Sequence, residues 1–324
     1  MEQGTPQPEY EGKFVDVDGT RVHYLHAGSG RPMLLIHGLV GSSANWRNNI
    51  AALARDASVY AIDLVNMGKS ARVDGLDGSL KATAERIAAI MDALDLADVD
   101  VVGHSHGGAV VLTFAAMYPA RVRRLILFAP ANPYSRSSDV MVRVYSTRWG
   151  VVLGRMLPYM PSPFQRLALG EMYGGTDRVT DRCLREIVEG LRSPGSLEHV
   201  LGIIRGWYGE MARLKQTLSR VARVPTLLVW GSNDCTVSLV SGLRLKRKLR
   251  GAQLIVVRDG GHTIFEERPE EANRIMLAWL AKHPLGATRP TMRHARNKRE
   301  IAHAARAVRR EGTATALGRL STGT

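Results

Sequence analysis

Apolar and polar residues alternate at 13–17 and again at 21–27, on either side of Asp18-Gly19, which predicts two antiparallel strands joined by a tight hairpin turn. Beyond residue 30 the pattern changes. Short apolar runs at 33–36, 59–64, 99–102, 125–129, 226–230 and 254–257 are mostly separated by segments of helical period. That succession predicts an α/β chain with a mainly parallel central sheet and helices on both faces. In the segment 80–94, Ile87, Ile90, Met91 and Leu94 share one helical face, which is structural. A second helix is expected over 108–118 and is stopped by Pro119.

Between Pro130 and Val221 the alternation of runs and helices gives way to sequence rich in Met, Arg, Tyr and Pro. This divides the chain into a core (1–130), an inserted helical cap (131–220), a second part of the core (221–285) and a basic tail (286–324). Met and aromatic side chains accommodate varied apolar ligands, so Met141, Tyr145, Trp149, Met156, Tyr159, Met160, Met172, Trp207, Tyr208 and Met211 are candidates to line a substrate pocket, a few of them facing Ser105.

Composition narrows the class. The 324 residues are 45% hydrophobic and 23% charged, ordinary for a globular enzyme-sized chain. The first thirty residues carry Glu2, Glu9, Glu11, Asp16 and Asp18 without an apolar segment, so no secretory leader is expected. No run is long enough to span a bilayer, and a cytoplasmic location is the default expectation. Cys183 and Cys235 are too few for a disulfide framework and are not spaced as a metal knuckle. The net charge of +14 is uneven: residues 286–324 hold nine Lys and Arg against two Asp and Glu, which is half of it. This tail is expected to be disordered or partly helical. It is a candidate to contact anionic surfaces, whereas its lack of aromatic residues predicts no specific nucleic-acid partner.

The candidate chemistry begins at Gly103-His104-Ser105-His106-Gly107, a G-x-S-x-G sequence between an apolar run and a helix. A strand feeding straight into a helix puts Ser105 on a sharp, strained turn with its hydroxyl presented above the sheet edge. Gly103 and Gly107 suit a turn with no room for Cβ atoms. A serine hydroxyl needs a base, and His262, in a glycine-rich loop just after the last apolar run, is the strongest candidate. Asp234, shortly after the 226–230 run, is placed to orient it. Asp139 is the rival acid, and Asp63 is read as ordering the loop of Asn66-Met67-Gly68-Lys69-Ser70. His37-Gly38-Leu39 follows another run, and the backbone N–H groups of Leu39 and His106 are the expected oxyanion hole.

With these motifs in place, the chain closely resembles the α/β-hydrolase superfamily over roughly residues 19–285. The resemblance rests on His37-Gly38, the Asp63 to Ser70 stretch, the Ser105 pentapeptide, Trp230-Gly231-Ser232-Asn233-Asp234 and Gly261-His262 followed by Phe265-Glu266-Glu267-Arg268-Pro269. The order Ser, Asp, His is also that of the family. Ser105 sets the chain apart from epoxide hydrolases and dehalogenases of the family, which carry aspartate there. Thr263 stands where its carbon–carbon bond hydrolases usually carry tryptophan. Asn66-Met67 and His106 also depart from the family pattern.

The resemblance implies a serine hydrolase cleaving a small to medium apolar carboxylic ester through an acyl-enzyme, with no cofactor and no metal. Thioester, lactone or carbon–carbon bond cleavage by the same residues is the alternative. A non-catalytic ligand-binding protein on the same fold is the reading from a different class.

Overall fold

The computed structural model describes residues 10–284, apart from 136–138, 174 and 177–178. Eight strands form one sheet: β1 (Glu11–Val17), β2 (Thr20–Ala27), β3 (Arg31–Ile36), β4 (Ala57–Ile62), β5 (Val99–His104), β6 (Val122–Phe128), β7 (Thr226–Gly231) and β8 (Ala252–Val257). Their spatial order is β1-β2-β4-β3-β5-β6-β7-β8. All pairings from β4 onward are parallel, whereas β1–β2 and β2–β4 are antiparallel. The opening hairpin turns at Asp18 and Gly19, both at positive φ (50° and 80°), the geometry that matches the twist of the flanking strands.

Helices α1 (Arg47–Leu53), α2 (Leu80–Ala93) and α3 (Ser105–Met117) connect the first strands. Between β6 and β7 lie α4 (Asp139–Tyr145), α5 (Arg148–Met156), α6 (Ser162–Tyr173), α7 (Asp181–Arg192) and the long α8 (Ser196–Val221). The chain continues through α9 (Leu239–Lys248), α10 (Ile264–Glu267) and α11 (Pro269–Lys282).

Successive side chains of a strand point to opposite faces, and the continuous apolar runs therefore supply two cores at once. Leu34, Ile36, Val101, Leu125, Leu127 and Leu228 meet α2, α3 and α8 on one face. Met33, Leu35, Val102, Ile126, Phe128 and Val229 meet Trp46, Ile50, Phe265, Met276 and Trp279 on the other. Burying a side chain of this size contributes about 1.5–3 kcal/mol, which makes this two-sided burial the main source of stability. Buried within the second face is an ion pair on neighbouring strands: Arg124 Nε donates to Asp100 at 3.0 Å, and its Nη1 donates to the carbonyls of Leu280 and His283. It ties β5 and β6 to the end of α11.

The 59–64 run forms β4 but ends at Ile62. At Asp63 the N–H still pairs with the His23 carbonyl (2.9 Å), while the carboxylate accepts from the N–H groups of Ser43 and Lys69 and from His23 Nδ1. Among the described residues no helix is long and apolar enough to cross a membrane. The tail 286–324 lies outside the described residues.

Candidate active site

β5 runs directly into α3, and Ser105 at the junction has φ +51°, a left-handed conformation costing a non-glycine residue about 1–3 kcal/mol. The surroundings require small residues. A Cβ on Gly107 would overlap the His37 carbonyl oxygen, and one on Gly103 would stand 3.0 Å from Gly108 Cα. The N-terminus of α3 is thereby brought against the end of β3. After β3 the chain crosses to β4 on one side, while β5 pairs on the other. Ser105 and His37 thus lie at the point where strand order reverses, where the ends of parallel strands leave a crevice.

The turn after β3 is closed by Gly41 N–H to Gly38 O (3.2 Å), with Leu39 and Val40 at its centre. His37 fixes its entrance. Leu64 N–H donates to His37 Nε2 (3.1 Å), so the ring proton sits on Nδ1 and is donated to Gly38 O (2.7 Å). His106 N–H belongs to the first turn of α3, where a helix supplies no acceptor of its own. Leu39 and His106 therefore each offer a backbone donor on either side of the β3–β5 crevice.

Asp234 and His262 come from the loops after β7 and β8, and backbone contacts staple these loops together. Ser232 N–H donates to Val257 O and Asn233 N–H to Gly260 O, each at 2.9 Å. A Cβ on Gly231 would overlap the carbonyls of Gly260 and Gly261. His262 Nδ1 donates to Asp234 Oδ2 at 2.8 Å with both side chains fully buried. Asp234 Oδ1 accepts from Thr236 and Val237 N–H at 2.9 and 2.8 Å, which fixes the carboxylate plane. Because a carboxylate only accepts, the imidazole proton is held on Nδ1 and Nε2 is left with its lone pair. Nε2 is buried and hydrogen-bonds no described group, Ser105 included. The structure thus joins His262 to Asp234 and places the Ser105 turn against Gly38, without a hydrogen bond from serine to histidine.

The residue preceding the serine bridges the two halves. His104 Nε2 donates to the carbonyl of His262 (3.1 Å), and the two rings lie 4.7 Å apart. Burial and the neighbouring His262 ring push His104 well below the usual histidine range. His106 lies on the other side of the turn, 6.3 Å from the Trp207 ring, with neither ring nitrogen hydrogen-bonded to a described group. Burial first, then His199 and His37, push it down to about 3, so it is a neutral wall. Burial would raise Asp63, but the His23 hydrogen bond, His37 and the N–H groups of Lys69 and Ser43 hold its carboxyl below the usual range. Asp63 therefore orders the adjacent loop, as its sequence position suggested.

Two supports escaped sequence reasoning. Glu267 accepts from Gly261 N–H, Thr263 N–H and Thr263 Oγ1 at 2.8–3.0 Å, clamping the turn that carries His262. Only its i+5 spacing from His262 hinted at this. His23, from the opening hairpin, reaches Asp63 at 2.7 Å, a contact across the sheet with no local signal. Asp139, Met141 and Met172, as side chains, lie outside the described residues.

One expectation about the insertion is corrected. Trp149, Met156, Tyr159 and Tyr208 do not line an enclosed pocket; they stand in solvent, Trp149 with 84% of its surface exposed. For Trp149 and Met156 the reason is the packing of α5 through glycines. A Cβ on Gly150 would overlap the Val144 carbonyl, so the glycine face turns inward and the large side chains outward.

The fold and these loops define a class that comparison with known proteins bears out. Residues 31–171 match the family model described as the alpha/beta hydrolase fold, and residues 206–288 match one described as a TAP-like protein. The chain is 30% identical over 278 residues to a 2-hydroxy-6-oxo-2,4-heptadienoate hydrolase of Pseudomonas putida, covering 83% of this chain and 96% of that relative. It is 29% identical to the dihydrolipoyllysine-residue acetyltransferase component of an acetoin cleaving system, also from Pseudomonas putida, over 83% of this chain and 69% of that one. A meta-cleavage product hydrolase from Pseudomonas fluorescens superposes with a TM-score of 0.70 at 27% identity, covering 84% of this chain and 98% of that one. The chain belongs to the α/β-hydrolase family.

Proposed function

We propose that the protein is a serine hydrolase that cleaves a small to medium apolar carboxylic ester through an acyl-enzyme. The observation that carries this reading is the fixed tautomer of His262: Asp234 holds the proton on Nδ1, and the bare Nε2 is a buried acceptor with no donor among the described residues. Ser105 Oγ attacks the acyl carbon while Nε2 takes its proton, and the oxyanion is held by the N–H groups of Leu39 and His106. Collapse expels the alcohol, which receives the proton from His262. Water then enters, gives a proton to Nε2, attacks the acyl carbon and releases the acid, and Ser105 regains its proton. In this reading the segment between β6 and β7 is a cap that selects the acyl or alcohol group.

Carbon–carbon bond cleavage by the same residues is a second reading, favoured by the 30% identical relative, whose named substrate is 2-hydroxy-6-oxo-2,4-heptadienoate. The deciding experiment is fluorophosphonate labelling of wild type beside Ser105→Ala, followed by turnover of p-nitrophenyl esters of increasing acyl length and of that dienoate. Labelling lost only in the variant, with ester turnover exceeding dienoate cleavage, supports the ester reading. Preferred dienoate cleavage moves the assignment to the second. A folded wild type that neither labels nor turns over any of them removes the enzymatic reading.

A further inference from the structure

α5 is built inside out. Gly150 and Gly154 pack inward, the latter against Leu201 and Tyr145, while Trp149, Val152, Leu153 and Met156 stand in water. Two shallow grooves, ≈ 400 and ≈ 410 Å³, flank this face, share Val152 and Arg155, and extend to Tyr159. Exposed Phe164 and Leu167 follow on α6. Apolar residues at helical spacing on the solvent side, with no core to explain them, mark a surface that meets something.

Charge says what. Residues 142–170 contain Arg143, Arg148, Arg155 and Arg166 and no Asp or Glu. Arg155 is held by Glu198 at 2.7 Å and Arg166 by Asp181, but Arg143 and Arg148 are exposed and pair with no described carboxylate. A two-fold contact with a second copy would set this patch against itself and bring the arginines together, an unfavourable juxtaposition. A neutral protein surface would leave them unpaired. An anionic lipid surface takes both components: aromatic and aliphatic side chains enter the headgroup region while guanidinium groups lie against phosphates.

We propose that α5 and the adjoining Tyr159 turn are a docking surface for anionic phospholipid bilayers, with Trp149, Val152 and Met156 inserted and Arg148, which lines the same groove as Trp149 and Val152, on the phosphates. The protein carries its own reporter. Trp46, Trp207, Trp230 and Trp279 are buried, so Trp149 is the tryptophan whose surroundings change on docking.

The test uses the full chain with vesicles of phosphatidylcholine, with and without phosphatidylglycerol. Emission should shift to the blue and be quenched by brominated acyl chains on the phosphatidylglycerol vesicles. The pair Val152→Glu/Met156→Glu, at exposed positions, should abolish the shift, and Arg148→Gln should weaken binding about fivefold. Vesicle binding with unshifted emission would overturn the proposal and assign binding to the basic tail. Equal shifts on neutral vesicles, unaffected by Arg148→Gln, would overturn its anionic part. Sedimentation showing a dimer that the Val152/Met156 pair dissociates would replace the bilayer with a second copy.

Discussion

Gly38 faces the imidazole of His104 so closely that a Cβ there would stand 2.8 Å from Nδ1 and 3.3 Å from Ser105 Cβ. The turn after β3 and the turn after β5 are therefore held at backbone distance by the absence of one methyl group. Gly38→Ala must force its turn, which carries the proposed Leu39 donor, away from His104 and Ser105. A displacement of about 1 Å at a reacting centre lowers rate about 100-fold, and that loss in kcat/KM on a p-nitrophenyl ester is expected together with a lowered melting temperature, because the methyl overpacks the buried His104 ring. A variant with wild-type kinetics would detach this turn from the chemistry.

Asp234 does two jobs with two oxygens: Oδ1 orders its own loop and Oδ2 selects the His262 tautomer. Asp234→Asn keeps the shape but removes the preference for a proton on Nδ1. A loss of kcat of about 10⁴-fold is expected, while Asp139→Asn stays near wild type. Kinetics of the two variants side by side decide which aspartate is the acid.

The buried histidines make the fold acid-sensitive. His106 titrates at about 3 when folded, whereas an unfolded chain protonates its histidines near 6.5. The unfolded state therefore binds the extra proton first, and stability falls as pH drops below about 6.5. At pH 5 this one side chain removes about 2 kcal/mol relative to pH 7. His37 and His104, also lowered by burial, act in the same direction. Asp63, lowered in the fold, adds its own loss only as pH falls through the carboxylate range. Urea unfolding at pH 7, 6 and 5 should show the decline, and His106→Met should flatten it by roughly that 2 kcal/mol.

The Asp100–Arg124 pair predicts an asymmetry. Removing only the carboxylate strands a buried guanidinium, so Asp100→Ala should cost about 3–5 kcal/mol in urea unfolding. Replacing both by apolar residues, Asp100→Leu/Arg124→Met, should recover much of that. An Asp100→Ala protein as stable as wild type would show that water reaches the pair.

Why some of this was legible in the sequence, and some not, follows from range. The runs that became β3 to β7 carry their signal locally, because a strand buried on both faces must be apolar at nearly every position. The Ser105 turn was readable because glycines are needed within two or three residues of it. Asp100 interrupts such a run and gave no warning, since its partner Arg124 is its neighbour only once β5 and β6 pair in register. Glu267 stands within the motif that follows His262, but its hold on the Gly261 and Thr263 N–H groups forms only once that turn folds back on itself. α5 misled for a related reason: its Met and Trp residues suggested a pocket, whereas the two glycines on the opposite side decided which face turned inward.

β6 and β7 are neighbours in the sheet, with Leu125 opposite Thr226, although the whole segment from Ala129 to Pro225 lies between them in sequence. The segment leaves the sheet and returns to it one strand away. Its ends are fixed by the sheet rather than by its own length, and loop-closure entropy grows only slowly with length. Residues can therefore be gained, lost or exchanged in its first part, before α8 packs into the core beside α3, while Ser105 on one side and Asp234 on the other keep their places. The strand pairing makes that first part interchangeable: lineages sharing this sheet are free to change it without rebuilding the loops that carry Ser105 and Asp234.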